Sequence, residues 1–99
     1  MKKIFISQPM RGKTVEEIER ERNKIIDKVK SAEGQNIEII LSFLSNKAVQ
    51  KTSLWCLGES LKKLSEAHIA YFGQGWENAR GCKLEHLACE EYGIKIKEI

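Results

Sequence analysis

The stretch HIAYFGQGWENARGCKLEHLACEEYG, residues His68 to Gly93, decides how the rest of this 99-residue chain is read. His68 to Phe72 is a short apolar run, of a length that suits a buried strand rather than a helix. Gly73, Gly75 and Gly81 then punctuate a polar segment that also carries Trp76, Asn78 and Arg80. Beyond it, Leu84, Leu87, Ala88 and Glu91 recur at helical spacing and are expected to share the inner face of a helix. Glu85 falls at the border of that face, early in the helix, where unpaired backbone N–H groups and the helix dipole favour an ionised carboxylate. A strand that feeds a helix through a glycine loop is a place to hold a phosphate or a sugar. The plain alternative is a tight turn with a solvated Glu.

Working outward, Lys3 to Ser7 is a β-rich run broken by Gln8 to Lys13, with Pro9 holding Gln8 extended. This loop presents Ser7, Arg11, Gly12 and Lys13 at the end of the first strand. Thr14 and Glu17 form a capping box that opens a helix through about Ala32, ended by Gly34. Its expected inner stripe is Val15, Ile18, Arg22, Ile25, Ile26 and Val29. Asn36 to Phe43 reads as the second strand, largely apolar as parallel strands are. Ser45 to Ser53 is polar and patternless, a loop expected to order on a ligand or a partner subunit. Leu54 to Ala67 reads as a second helix with Leu57, Leu61 and Leu64 inward, and Gly58 within it hints at a close approach. Ile94 to Ile99 reads as a fourth, edge strand.

Strands alternating with helices predict a single α/β domain over residues 1–99, a small three-layer parallel sheet of flavodoxin/Rossmann-like type. The expected strand order is 2-1-3-4, with its switch point between the first and third strands. Both polar loops, Ser7 to Lys13 and Gly73 to Gly81, leave the C-terminal ends of those two strands. A ligand crevice is expected where they meet.

Composition narrows the function classes. With 41% hydrophobic and 31% charged residues the chain has the make-up of a soluble globular protein. No apolar run is long enough for a membrane span and the N-terminus lacks a signal-like h-region, so a cytoplasmic protein without membrane contact is expected. The net charge of +3 is spread among acids rather than gathered in a stripe, which argues against nucleic acid. Cys56, Cys82 and Cys89 form no CxxC pair and are expected as reduced thiols; Cys82 and Cys89, two helical turns apart, can share a face. Two histidines make a zinc site improbable. Cys82 as a nucleophile would need an activating base that the pattern does not place beside it.

KIFISQPMRG, residues 3–12, and YFGQGWENARGCKLEHLACEEYGIKI, residues 71–96, together resemble small uncharacterised bacterial and phage proteins grouped as a domain of unknown function. That family is similar to the nucleoside 2-deoxyribosyltransferase superfamily and its hydrolase relatives acting on nucleoside monophosphates. The G-W-E-x-A-R-G-C-x-x-E-H run carries most of the resemblance. It implies that Glu85 is the catalytic nucleophile that attacks or stabilises the anomeric carbon, chemistry suited to a carboxylate beside an oxocarbenium-like centre. Ser7, Arg11 and Gly12 match the ligand-holding loop after the first strand, with Arg11 suited to a phosphate. Gly73, Gly75, Asn78, Arg80 and Gly81 would complete the pocket. Trp76 would either stack on a base or close the core under the loop. No metal or organic cofactor is implied, and a homodimer or larger assembly is expected around a nucleoside or nucleotide ligand.

Two positions depart from the resembled pattern, which has Asp where His68 and Leu41 stand. They favour a rival reading, a non-catalytic nucleotide-binding or sensing module in the same crevice; a third is an assembly subunit. His68 fits a satisfied core histidine better than a catalytic acid, and His86 is expected at the surface.

Overall fold

The computed structural model describes residues 1–41 and 52–99. Strand β1 is Lys2–Ser7, helix α1 Val15–Glu33, β2 Ile37–Leu41, α2 Ser53–Leu64, β3 Ile69–Phe72, α3 Arg80–Tyr92 and β4 Lys95–Glu98, with a 3-10 turn at Trp76–Asn78 before α3. All four strands are parallel, in the order β2-β1-β3-β4. Ile4 faces Ile69 and Phe5 faces Ala70 in the β1–β3 register, so the two central strands are the ones whose loops were expected to meet.

Period-two alternation divides the core. Ile4 and Ile6 of β1 pack with Ile69, Tyr71 and the α1 residues Ile25 and Val29. Phe5 turns to the other face, with Ala70, Phe72, Leu64 of α2 and Cys89 of α3. Helix α1 therefore covers one side of the sheet, and α2 and α3 the other. By the same parity Ser7 points toward α3 and Gln8 toward α1.

Local signals account for the helix ends. Thr14 accepts from the Glu17 amide while Glu17 accepts from the Thr14 amide, and Gly34 closes α1 with its N–H on the Lys30 carbonyl. Thr52 caps α2 through the Trp55 amide. At its far end α1 is tied down by Glu33, whose carboxylate accepts from Lys97, Tyr71 and Lys2. Those bonds hold its pKa down to about 2.

Several expectations are corrected. Val15 is 70% exposed rather than inward. Helix α1, at about 1.5 Å per residue, is longer than the strands it covers, and its first turn overhangs them. Helix α2 ends at Leu64 rather than Ala67, since Glu66 and Ala67 turn back on the Lys63 and Leu64 carbonyls to enter β3. Gly58 marks no close approach, for a Cβ there would meet no described atom within 4 Å. The inner face of α3 is Cys82, Glu85 and Cys89, whereas Leu84 and Leu87 face outward. The shared face expected for Cys82 and Cys89 is thus present. The end of the expected second strand beyond Leu41, and the Ser45–Ser53 loop up to Lys51, lie outside the described residues.

Candidate functional site

A crevice of about 1070 Å³ opens at the C-terminal ends of β1 and β3, the switch point of the sheet. Three segments converge on it. The loop after β1 contributes Gln8 to Arg11, the loop after β3 contributes Gly75 and Asn78 to Arg80, and α2 contributes Leu57 and Ser60 among others. The first turns of α3 supply Gly81, Cys82 and Lys83, and Glu85 lies at the floor.

Backbone geometry explains the loop. The Gly73 amide donates to the Ser7 carbonyl at 2.8 Å, continuing the β1–β3 ladder. A Cβ on Gly73 would stand 3.2 Å from Ile25 Cδ1 and 3.4 Å from Gln8 Cβ, so this junction takes no larger side chain without displacement. Gly75 adopts φ 87°, the left-handed turn that starts the 3-10 segment. Ala79 begins α3 without a side-chain cap, and the first amide bonded back is that of Lys83, to the Ala79 carbonyl. The amides of Arg80, Gly81 and Cys82 are therefore helix N-terminal donors at the crevice wall. Arg11, Arg80 and Lys83 line the same space and none makes a side-chain bond to a described residue.

Glu85 is 4% exposed, and Ser7 Oγ donates to its Oε1 at 2.6 Å. Ser7 is itself fully buried. One carboxylate oxygen is thus oriented from behind, leaving the other as the free acceptor. Burial pushes the Glu85 carboxyl up to about 7, with the Ser7 hydrogen bond pulling in the opposite direction. This corrects the expectation of a firmly ionised Glu85. As the sixth residue of α3 it lies past the unbonded amides of the first turn, and a single hydroxyl does not offset the loss of water. A carboxyl whose pKa is raised by burial in a cleft marks a candidate acid, base or nucleophile. Beside it, Cys82 and Cys89 are pushed up chiefly by burial, Cys89 to about 11, which leaves both as thiols at neutral pH.

Arg11, Gly75, Asn78, Arg80, Gly81 and Glu85 are brought together around the crevice. Ser7 and Gly73 stand behind it, one orienting Glu85 and the other joining the strands. Gly12, at φ 79°, shapes the turn closed by the Lys13 amide on the Met10 carbonyl and is not a lining residue. Trp76 does not line the crevice either. Its ring stacks on His86 at 3.8 Å and packs on Phe72, closing the core under the loop. His86 is correspondingly not a surface residue; its side chain is 12% exposed, with Nδ1 at 3.2 Å from Glu90 and Nε2 at 2.8 Å from Glu98.

The two departures from the resembled pattern sit away from the crevice wall. His68 precedes β3, at the opposite end of the sheet from Glu85, and its Nδ1 accepts from the Lys3 amide. It is exposed rather than buried. Leu41 packs with the α1-side core, across the sheet from Glu85. Sequence reasoning missed Gln8, whose Nε2 donates to the Ile18 carbonyl and whose Oε1 accepts from Arg22, fixing the β1 loop to α1. It also missed Ser60, buried in the crevice wall. A small polar residue within the inward stripe Leu57–Leu64 was the available signal.

Among the described residues, the Ser7 hydroxyl makes the only hydrogen bond that favours ionised Glu85. Ser7→Ala is therefore expected to raise the Glu85 pKa further above 7, seen directly by carboxyl-carbon NMR titration; an unchanged or lower value would contradict the assignment. Comparison with family models, with curated proteins and with solved structures finds no match for this chain.

Proposed function

We propose that the protein cleaves the N-glycosidic bond of a nucleoside or nucleoside monophosphate, as a hydrolase or deoxyribosyltransferase, with Glu85 as the nucleophile. The observation that carries this reading is the buried Glu85 carboxyl, oriented by Ser7 at the floor of a crevice rimmed by Arg11, Arg80 and Lys83. The resemblance to the deoxyribosyltransferase superfamily supports it. An oxygen lone pair of ionised Glu85 forms a bond to C1′ as the C1′–N bond breaks; the electron pair of the C1′–N bond leaves with the base, which takes a proton from water. Attack on C1′ by water, or by a second base, then releases Glu85 as carboxylate, and the proton of the attacking group passes to solvent. Ionised Glu85 also stabilises the oxocarbenium-like state before the bond closes.

The rim cations are suited to a phosphate, since charge-assisted contacts are the strong ones. Arg11→Ala is expected to weaken nucleoside monophosphates by roughly 1.5–3 kcal/mol relative to the matching nucleosides. Titration calorimetry of both ligand types measures this; equal weakening would make Arg11 a structural residue. Base release from a panel of nucleosides and monophosphates, followed by chromatography, tests the activity itself.

A second reading, a nucleotide-binding or sensing module, draws on one observation. Glu85 is the only acidic side chain among the described lining residues, so no second carboxyl is at hand to protonate a departing base. Stabilisation by a nucleotide without base release would decide for it, and ligand at 100 times its Kd adds about 2.7 kcal/mol.

A further inference from the structure

Helix α3 carries an apolar seam on the side away from the sheet. Cys82, Glu85 and Cys89 face inward. At 100° per residue, the opposite direction is taken by Arg80, Leu84, Leu87 and Glu91. Leu84 and Leu87 stay 42% and 49% exposed at the middle of this line, and Arg80 and Glu91 are exposed at its ends. Neither charged residue bonds to a described side chain. The spacing of four, three and four residues is that of a coiled-coil seam, whose apolar positions pack against a second helix.

The seam is complementary to itself in one orientation only. With two copies antiparallel about a twofold axis between Leu84 and Leu87, each Leu84 meets the partner's Leu87. The same axis sets Arg80 against the partner's Glu91, twice. A parallel pairing would instead set like charges against each other at both ends. We propose that the outer seam of α3 joins two copies of this chain in an antiparallel, twofold homodimer. Such an isologous contact is the commonest form of association in homo-oligomers.

Area sets the expected strength. A stable interface buries about 800 Å² per partner, more than one short helix pair supplies. Leu54 of α2, 75% exposed and lining the crevice together with Leu84, extends the apolar surface beside the seam. A weak dimer, populated at high concentration and lost on dilution, is expected. Because Arg80 and Leu84 both line the crevice, the partner's α3 would run along its mouth and hold the Arg80 guanidinium there.

Sedimentation equilibrium on the full chain tests this without reference to any enzymatic activity. The wild type should be dimeric at 100 µM and dissociate on dilution. Glu91→Arg and Arg80→Glu should each be monomeric, with unchanged circular dichroism, because each sets like charges against each other at both ends. The double variant, Arg80→Glu with Glu91→Arg, should recover the dimer. A monomeric wild type, single variants that stay dimeric, or a double variant that stays monomeric would each overturn the proposal.

Discussion

Glu85→Gln is expected to lower base release by about three orders of magnitude or more, the scale on which loss of a nucleophile acts. The substitution keeps the size of the side chain and an oxygen able to accept from Ser7 Oγ, now 2.6 Å from Oε1. It removes the charge and the electron pair that would form the bond to C1′. Ligand-induced thermal stabilisation should survive, since the cations at the rim are untouched. For the wild type, kcat/KM should rise with pH and level off above about 7, because the ionised form is the reactive one and burial holds its pKa there. Base release that persists in the Gln variant would remove Glu85 from the chemistry.

The same variant should be more stable than the wild type, by an amount that depends on pH. Glu85 is raised from an ordinary 4.5 to about 7 in the folded chain. Between those values the folded state holds more protons than the unfolded state, so stability falls as pH rises. The stabilising preference is complete below 4.5 and lost once pH passes the folded value. Gln carries no such penalty at any pH. Its advantage should therefore grow from near zero at pH 4 to on the order of 3 kcal/mol at pH 8, taking 1.36 kcal/mol per pKa unit. Urea unfolding at the two pH values measures it, and an equal advantage at both would mean that Glu85 has an ordinary pKa.

How far the sequence could be read depended on whether a pattern named its neighbour. Thr14 acts on Glu17 and Gly34 on Lys30, each pair within a few residues, so both ends of α1 were legible. The strand order followed from alternation and handed crossovers, which are general rules of parallel sheets. The face of α3 was not legible. Leu84, Leu87 and Glu91 do form a helical stripe, but periodicity does not say whether a stripe meets the sheet or another surface. Here the smaller Cys82 and Cys89 face the sheet. Position along the helix does not set the ionisation of Glu85 either. Its environment is set by Ser7, 78 residues away, and by burial that only the packed core reveals. Trp76 and His86 illustrate the same limit, since their stacking joins the glycine loop to the middle of α3.

The central claim is that Glu85 forms the bond to the sugar, and trapping that bond tests it most directly. A nucleoside carrying fluorine at C2′ slows both steps by destabilising the oxocarbenium-like state, and a good leaving base lets the first step proceed. After incubation, the intact mass should increase by one fluorinated sugar, and peptide mapping should place the addition on Glu85, with none in Glu85→Gln. Base release without any adduct on the chain, or an adduct on another residue such as Cys82, would contradict the account.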